Sequence, residues 1–189
     1  MGKKDKTPFP PLLPEPGLHR MQITGIHRLL GSSAFPLSRT RDTLLNGLHS
    51  LIRSLESLEI EAALWLDGSF LETKIDPDDV DVILRLSSLD CSRFSNDQFD
   101  FLSMLLDEDK SKSRFHCHVF HVIDYPCDHP QHDIGESERH DWRRFFGRTR
   151  ADIPKGFVRI DVCRQCYLRD GWSKSGSRYN VRPSTSWHR

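Results

Sequence analysis

Between Ser38 and Leu58, apolar residues recur every three or four positions: Leu44, Leu45, Leu48, Leu51, Ile52, Leu55 and Leu58, with Arg41, Asp42, Asn46, Arg53 and Glu56 between them. This period gathers the leucines on one stripe and predicts an amphipathic helix with Ser38 as its N-cap. The pattern then shortens. Ala62 to Leu66 is a brief apolar run that ends at Asp67-Gly68-Ser69, which reads as a buried strand entering a turn. Val80 to Leu86 is rich in β-branched residues and follows Asp76-Pro77-Asp78, so it predicts a second strand. Gln98 to Leu106 reads as a short helix. Phe115 to Ile123 reads as a third strand, in which His116, His118 and Phe120 alternate with Cys117, Val119 and His121. The polar, His-rich stretch from Pro126 to Arg139 reads as a loop, Asp141 to Arg148 as a helix and Gly156 to Val162 as the last strand.

The ends differ from this middle. Pro8, Pro10, Pro11, Pro14 and Pro16 fall between Thr7 and Gly17; each removes a backbone donor and biases its predecessor to extended geometry, so the segment reads as an arm laid over the surface. From Cys163 onward no period is visible, and Arg164, Arg169, Lys174, Arg178, Arg182 and Arg189 face only Asp170. These changes divide the chain into an arm (1–17), one domain (18–162) and a basic, aromatic tail (163–189). A length of 189 residues suits one such domain.

The 27 basic and 27 acidic residues cancel, so net charge argues neither for nor against nucleic acid. No run approaches the roughly 20 apolar residues of a membrane span, and the start lacks a secretory signal, which predicts a cytoplasmic protein without membrane contact. The five cysteines are an odd number in a chain long enough for a core, and reduced thiols are expected. Cys163-Arg-Gln-Cys166 has the spacing of half a zinc site, but no second such pair completes it. In the tail, Arg169, Trp172, Lys174, Arg178, Tyr179, Arg182 and Trp187 mix cations with rings that can stack on bases.

The chemistry concentrates between Leu64 and Leu86. Asp79 and Asp81 sit two apart on a predicted strand, so both carboxylates point to one face while Val80, Val82 and Leu84 point to the other. Two adjacent carboxylates repel, and hard oxygen donors of this kind suit Mg²⁺ or Mn²⁺. Gly68 permits close backbone approach to a ligand, and Ser69 adds a hydroxyl donor, so the turn can grip phosphate oxygens. Lys74, between turn and carboxylates, can reach a phosphate. Together these parts suit a nucleoside triphosphate held at one end by the turn and at the other by metal.

The Gly-Ser turn followed by Asp-x-Asp resembles the pattern of the DNA polymerase beta-type nucleotidyltransferase superfamily. More narrowly, Leu13-Pro14-Glu15-Pro16-Gly17-Leu18-His19, Leu64 to Phe70, the segment through Asp81, and Pro154-Lys155-Gly156-Phe157-Val158 resemble a poorly characterised group of bacterial nucleotidyltransferase-like proteins. The resemblance implies an α/β (α+β) fold with a short mixed sheet and helices on one side. It implies that Gly68 and Ser69 bind triphosphate, that Asp79 and Asp81 bind Mg²⁺ or Mn²⁺, and that a nucleoside monophosphate passes to a hydroxyl of RNA, protein or a small molecule. The superfamily has a third carboxylate on a later strand. Here His118 stands in that register, as a metal ligand, a general base or an ordinary strand histidine, and the next acid is Asp124. The alternative implied is a catalytically weak or inactive module that binds nucleotide, RNA or a partner protein in a toxin-antitoxin or phage-defence system.

Overall fold

The computed structural model describes residues 9–163. Its five strands, β1 (Gly17–Arg20), β2 (Ala62–Asp67), β3 (Val80–Ser87), β4 (Cys117–Asp124) and β5 (Gly156–Val162), form one sheet in the order β1-β5-β2-β3-β4. β2 runs antiparallel to both its neighbours, whereas β1 with β5 and β3 with β4 are parallel. Six helices accompany it among the described residues: α1 (Ile23–Leu30), α2 (Arg41–Ser57), α3 (Ser88–Cys91), α4 (Asn96–Leu106), α5 (Glu108–Phe115) and α6 (His132–Phe146). The α+β class expected from the sequence is the one observed.

Strand alternation sorts the sheet into two faces. Leu64 and Leu66 share one face with Val82, Leu84, Val158 and Ile160, all buried, and the leucine stripe of α2 joins the same core. Leu44, Leu45, Leu48, Leu51 and Leu55 are each 2 % exposed or less, so the predicted stripe is the core stripe. α5 lies close against α2: a Cβ on Gly47 would lie 2.1 Å from the Phe115 carbonyl oxygen. Trp65, Ile83, Phe120 and Phe157 project from the opposite face. There α6 brings Trp142 to 4.7 Å from Phe120 and Phe146 to 6.1 Å from Phe157, ring centre to ring centre. The helices therefore do not all lie on one side.

Several boundaries differ from the sequence reading. The long helix begins at Arg41, because Ser38 Oγ accepts from the Thr40 and Arg41 amides at 3.3 and 3.1 Å and shapes the preceding turn instead of capping the helix directly. The loop expected over Pro126 to Arg139 gives way to helix at His132, and α6 absorbs most of the expected Asp141 to Arg148 helix. Its first turns carry Asp133, Glu136, Glu138 and Arg139 and bury little besides Gly135, so they show no apolar stripe. The arm packs on its own domain: the Leu12 amide donates to the Leu71 carbonyl at 2.9 Å, and the Thr73 amide to the Pro10 carbonyl at 2.9 Å. Cys91, Cys117 and Cys127 are free thiols as expected, whereas Cys163 departs from that expectation and is disulfide-bonded. The tail residues from Arg164 to Arg189 lie outside the described residues. No described helix is long and apolar enough to cross a membrane.

Arg41 ties helix to turn. Fully buried, its guanidinium donates to the Phe70 carbonyl at 2.9 Å and to the Glu72 and Lys74 carbonyls at 2.7 Å, while Phe35 stacks 3.6 Å from its central carbon. Burial lowers its pKa to about 10, so it keeps its charge at neutral pH. Arg41→Met strands three carbonyls, and a loss of about 3 kcal/mol in urea unfolding is expected, at roughly 1 kcal/mol per unpaired group. Faster amide exchange over 70–75 would accompany it; unchanged exchange there would show that the loop holds itself.

Candidate metal and phosphate site

Register builds the site. Asp67 ends β2 opposite Asp81 on β3, and Asp81 lies opposite His118 on β4, so three polar side chains form a row across one face. Asp79, one residue before β3, joins them. Asp79, Asp81 and His118 each offer a ligand atom, and these atoms lie within 4.8 Å of one another. His118 is flanked by Phe120, with ring centres 4.2 Å apart. Its Nδ1 faces Asp81 Oδ1 at 3.6 Å and its Nε2 faces Glu108 Oε2 at 3.6 Å.

Electrostatics favour a cation here. Burial pushes the Asp81 carboxyl above its ordinary pKa and the like charge of Asp79 pushes it further, against the pull of His118, Lys112 and Lys155. Lys112, one turn along α5 from Glu108, reaches Glu108 Oε1 at 2.7 Å and Asp79 Oδ2 at 2.9 Å. Its hydrogen bond to Glu108, and then that to Asp79, hold its pKa above the usual lysine range. Two carboxylates with one imidazole suit a divalent cation; the oxygens accept Mg²⁺ or Mn²⁺, and the imidazole favours Mn²⁺ of the two.

Gly68 joins the turn to the metal ligands. Its φ is +81°, which L side chains rarely adopt, and a Cβ there would lie 2.1 Å from Asp81 Oδ2. The Asp81 carboxylate thus rests against the glycine. Behind it, Lys155 Nζ meets Asp67 Oδ1 at 2.5 Å, with the two side chains 2 % and 7 % exposed. Burial raises the Asp67 carboxyl to about 7 despite the pull of Lys155.

Of the residues singled out from sequence, Gly68, Ser69, Lys74, Asp79, Asp81 and His118 all line one cleft of about 1180 Å³. Lys74 is held by Asp78, its Nζ 2.7 Å from Oδ2. Asp124 is not part of the site: at the far end of β4 it binds Arg85 Nη2 at 2.5 Å and faces Arg139 at 3.5 Å. Sequence reasoning missed Glu108 and Lys112, which sit on an unrecognised helix, and the pair Asp67 and Lys155. Asp67 carried a signal, since alternation with Leu66 puts it on the face of Asp81 once the strand extends by one residue.

Residues 8–161 match the model of a family of unknown function (DUF6932), so the chain belongs to that family. No curated protein and no solved structure matches it.

Proposed function

We propose that this DUF6932 chain is a metal-dependent nucleotidyltransferase of the DNA polymerase beta type, acting in the cytoplasm on a nucleoside triphosphate and a hydroxyl acceptor. The observation that carries the reading is the convergence of Asp79, Asp81 and His118 beside the Gly68-Ser69 turn in one cleft. Gly68 lets the backbone approach the phosphates and Ser69 donates to them. Lys74, by exchanging Asp78 for a phosphate oxygen, adds charge at the triphosphate tail. Asp79, Asp81 and His118 hold Mg²⁺ or Mn²⁺, which when bound neutralises phosphate charge and makes the acceptor hydroxyl more acidic. Lys155 keeps Asp67 from adding a further negative charge behind Asp81.

One observation favours a second reading, a nucleotide-, RNA- or partner-binding module with little activity, as in a toxin-antitoxin or phage-defence system. β4 contributes His118 where a third carboxylate would help deprotonate the acceptor, and Asp124 is engaged with Arg85.

Transfer of labelled α-phosphate from each ribonucleoside triphosphate, in Mg²⁺ or Mn²⁺ with cell RNA and protein as acceptors, separates the readings. Wild type should transfer label, and Asp79→Ala with Asp81→Ala should lower transfer by at least about 100-fold. Metal-dependent nucleotide binding without transfer supports the module; neither binding nor transfer sinks the transferase and the nucleotide-binding form of the module. Mn²⁺ should raise the melting temperature more than Mg²⁺ does, and His118→Asp should reverse that preference. A preference unaltered by the substitution would show that His118 is not a ligand.

A further inference from the structure

The carboxylates and the Gly-Ser turn account for only part of the cleft. Another wall is the C-terminal end of α6 and the turn that leads to β5, where Arg144, Phe145, Arg148 and Arg150 line the cavity. Phe145 is 70 % exposed, although its neighbour Phe146 is buried. Trp142 and Phe146 lie 5.8 and 6.1 Å from its ring, centre to centre. An exposed ring beside other rings offers a face on which a base can stack.

The charges of this wall are unequally used. Arg148 is committed to Asp152, reaching its backbone carbonyl at 2.9 Å and its carboxylate at 3.1 Å. The side chains of Arg144 and Arg150 make no hydrogen bond or ion pair among the described residues. Asp141, also on the wall, lies 4.0 Å from His140 Nδ1. Two guanidinium groups without a partner among the described residues and an exposed ring in a cleft match single-stranded nucleic acid, whose phosphates need cations and whose unpaired bases stack on aromatics. A cleft of about 1180 Å³ also exceeds the roughly 300–1,000 Å³ typical of a pocket for one small ligand. Space therefore remains beside a nucleotide.

We propose that Arg144, Phe145 and Arg150 bind a single-stranded nucleic acid and present its terminal hydroxyl to the site. This rests on the transferase reading above: the hydroxyl oxygen bonds to the α-phosphorus, the α–β phosphoanhydride bond breaks, pyrophosphate leaves with the electron pair, and the hydroxyl proton passes to water. Acceptor recognition then lies at the C-terminal end of α6 and the turn that follows it.

The test is fluorescence anisotropy of labelled 12-nucleotide RNA and DNA between 50 and 200 mM KCl, with the full chain, alongside Mn²⁺-dependent nucleotide binding by calorimetry. Wild type should bind one or both strands, and the difference between them shows which sugar the wall accepts. Arg144→Gln with Arg150→Gln should weaken strand binding at least about tenfold and make the slope of log affinity against log salt shallower by about 1.4, at roughly 0.7 per cation. Phe145→Ala should weaken it by about fivefold to a hundredfold. Nucleotide binding should persist in every variant. Strand binding indifferent to these changes would assign it to another surface and overturn the proposal, as would loss of nucleotide binding in its place, no strand binding by wild type, or transfer of label to protein alone. Absence of nucleotide binding in wild type would instead sink the transferase reading, while the strand data would still decide whether the wall binds nucleic acid.

Discussion

Lys155→Met is expected to destabilise the fold by about 3–5 kcal/mol at pH 8, the loss found when one partner of a buried pair is removed, and by clearly less at pH 5. The reason lies in Asp67. Its carboxyl is buried and raised to about 7 even with Lys155 Nζ at 2.5 Å. Without the ammonium it is raised further, so at pH 5 it takes a proton and the variant buries a neutral acid, whereas at pH 8 it must either stay charged alone or be protonated against the bulk pH. Urea unfolding at pH 5, 6, 7 and 8 measures the difference, and Lys155→Met with Asp67→Leu should recover much of the loss. The wild type has a related dependence. Because the folded pKa of Asp67 exceeds its ordinary value of 3.8, the folded state holds that proton more tightly than the unfolded one, and stability from this group falls as pH rises from about 4 to about 7. Asp81 is shifted in the same direction and adds to the slope. A loss in Lys155→Met that is equal at all four pH values would show that Asp67 stays ionised throughout.

Such a pair is poor material for stability, since burial outweighs attraction at Asp67. Its position suggests a geometric use: Asp67 sits in register with Asp81, so a charged group that is neutralised and locked there leaves Asp81 free to turn toward Asp79 and His118.

How much of this was legible in the sequence follows from what is local and what is not. Asp79 and Asp81 share a face because of strand alternation alone, and the Gly68-Ser69 turn is written in adjacent residues; both are local, and both survive in the structure. His118 was placed in the correct row because the third strand starts close to where its alternation begins. Glu108 and Lys112 were invisible because α5 reads as a polar stretch, Glu108-Asp-Lys-Ser-Lys-Ser-Arg-Phe115, with only Ser111 and Phe115 buried. The first turns of α6 failed for the same reason. Lys155 and Asp67 stand 88 positions apart, and Arg41 grips carbonyls 29 to 33 positions away; no periodicity encodes such partners. They exist only once β5 lies beside β2 and α2 crosses the turn.

Gly68→Ala is the substitution that should separate site from fold. The residue stands at φ +81°, where alanine is strained, so a stability loss of about 1–2 kcal/mol is expected. The larger effect is on Asp81. A methyl carbon 2.1 Å from Oδ2 cannot coexist with that carboxylate position, and the movable partner is the side chain, which must leave the place it holds beside Asp79 and His118. Metal and triphosphate sites are then damaged together, and calorimetry should show metal-dependent nucleotide binding weakened by at least about 100-fold, roughly the 3 kcal/mol of two lost charge-assisted contacts. Ser69→Ala removes only a hydroxyl donor and should weaken binding by about fivefold to tenfold. If Gly68→Ala keeps its cooperative melting and also binds nucleotide as wild type does, the turn is not a phosphate grip and binding does not depend on the place that Asp81 Oδ2 holds against the glycine.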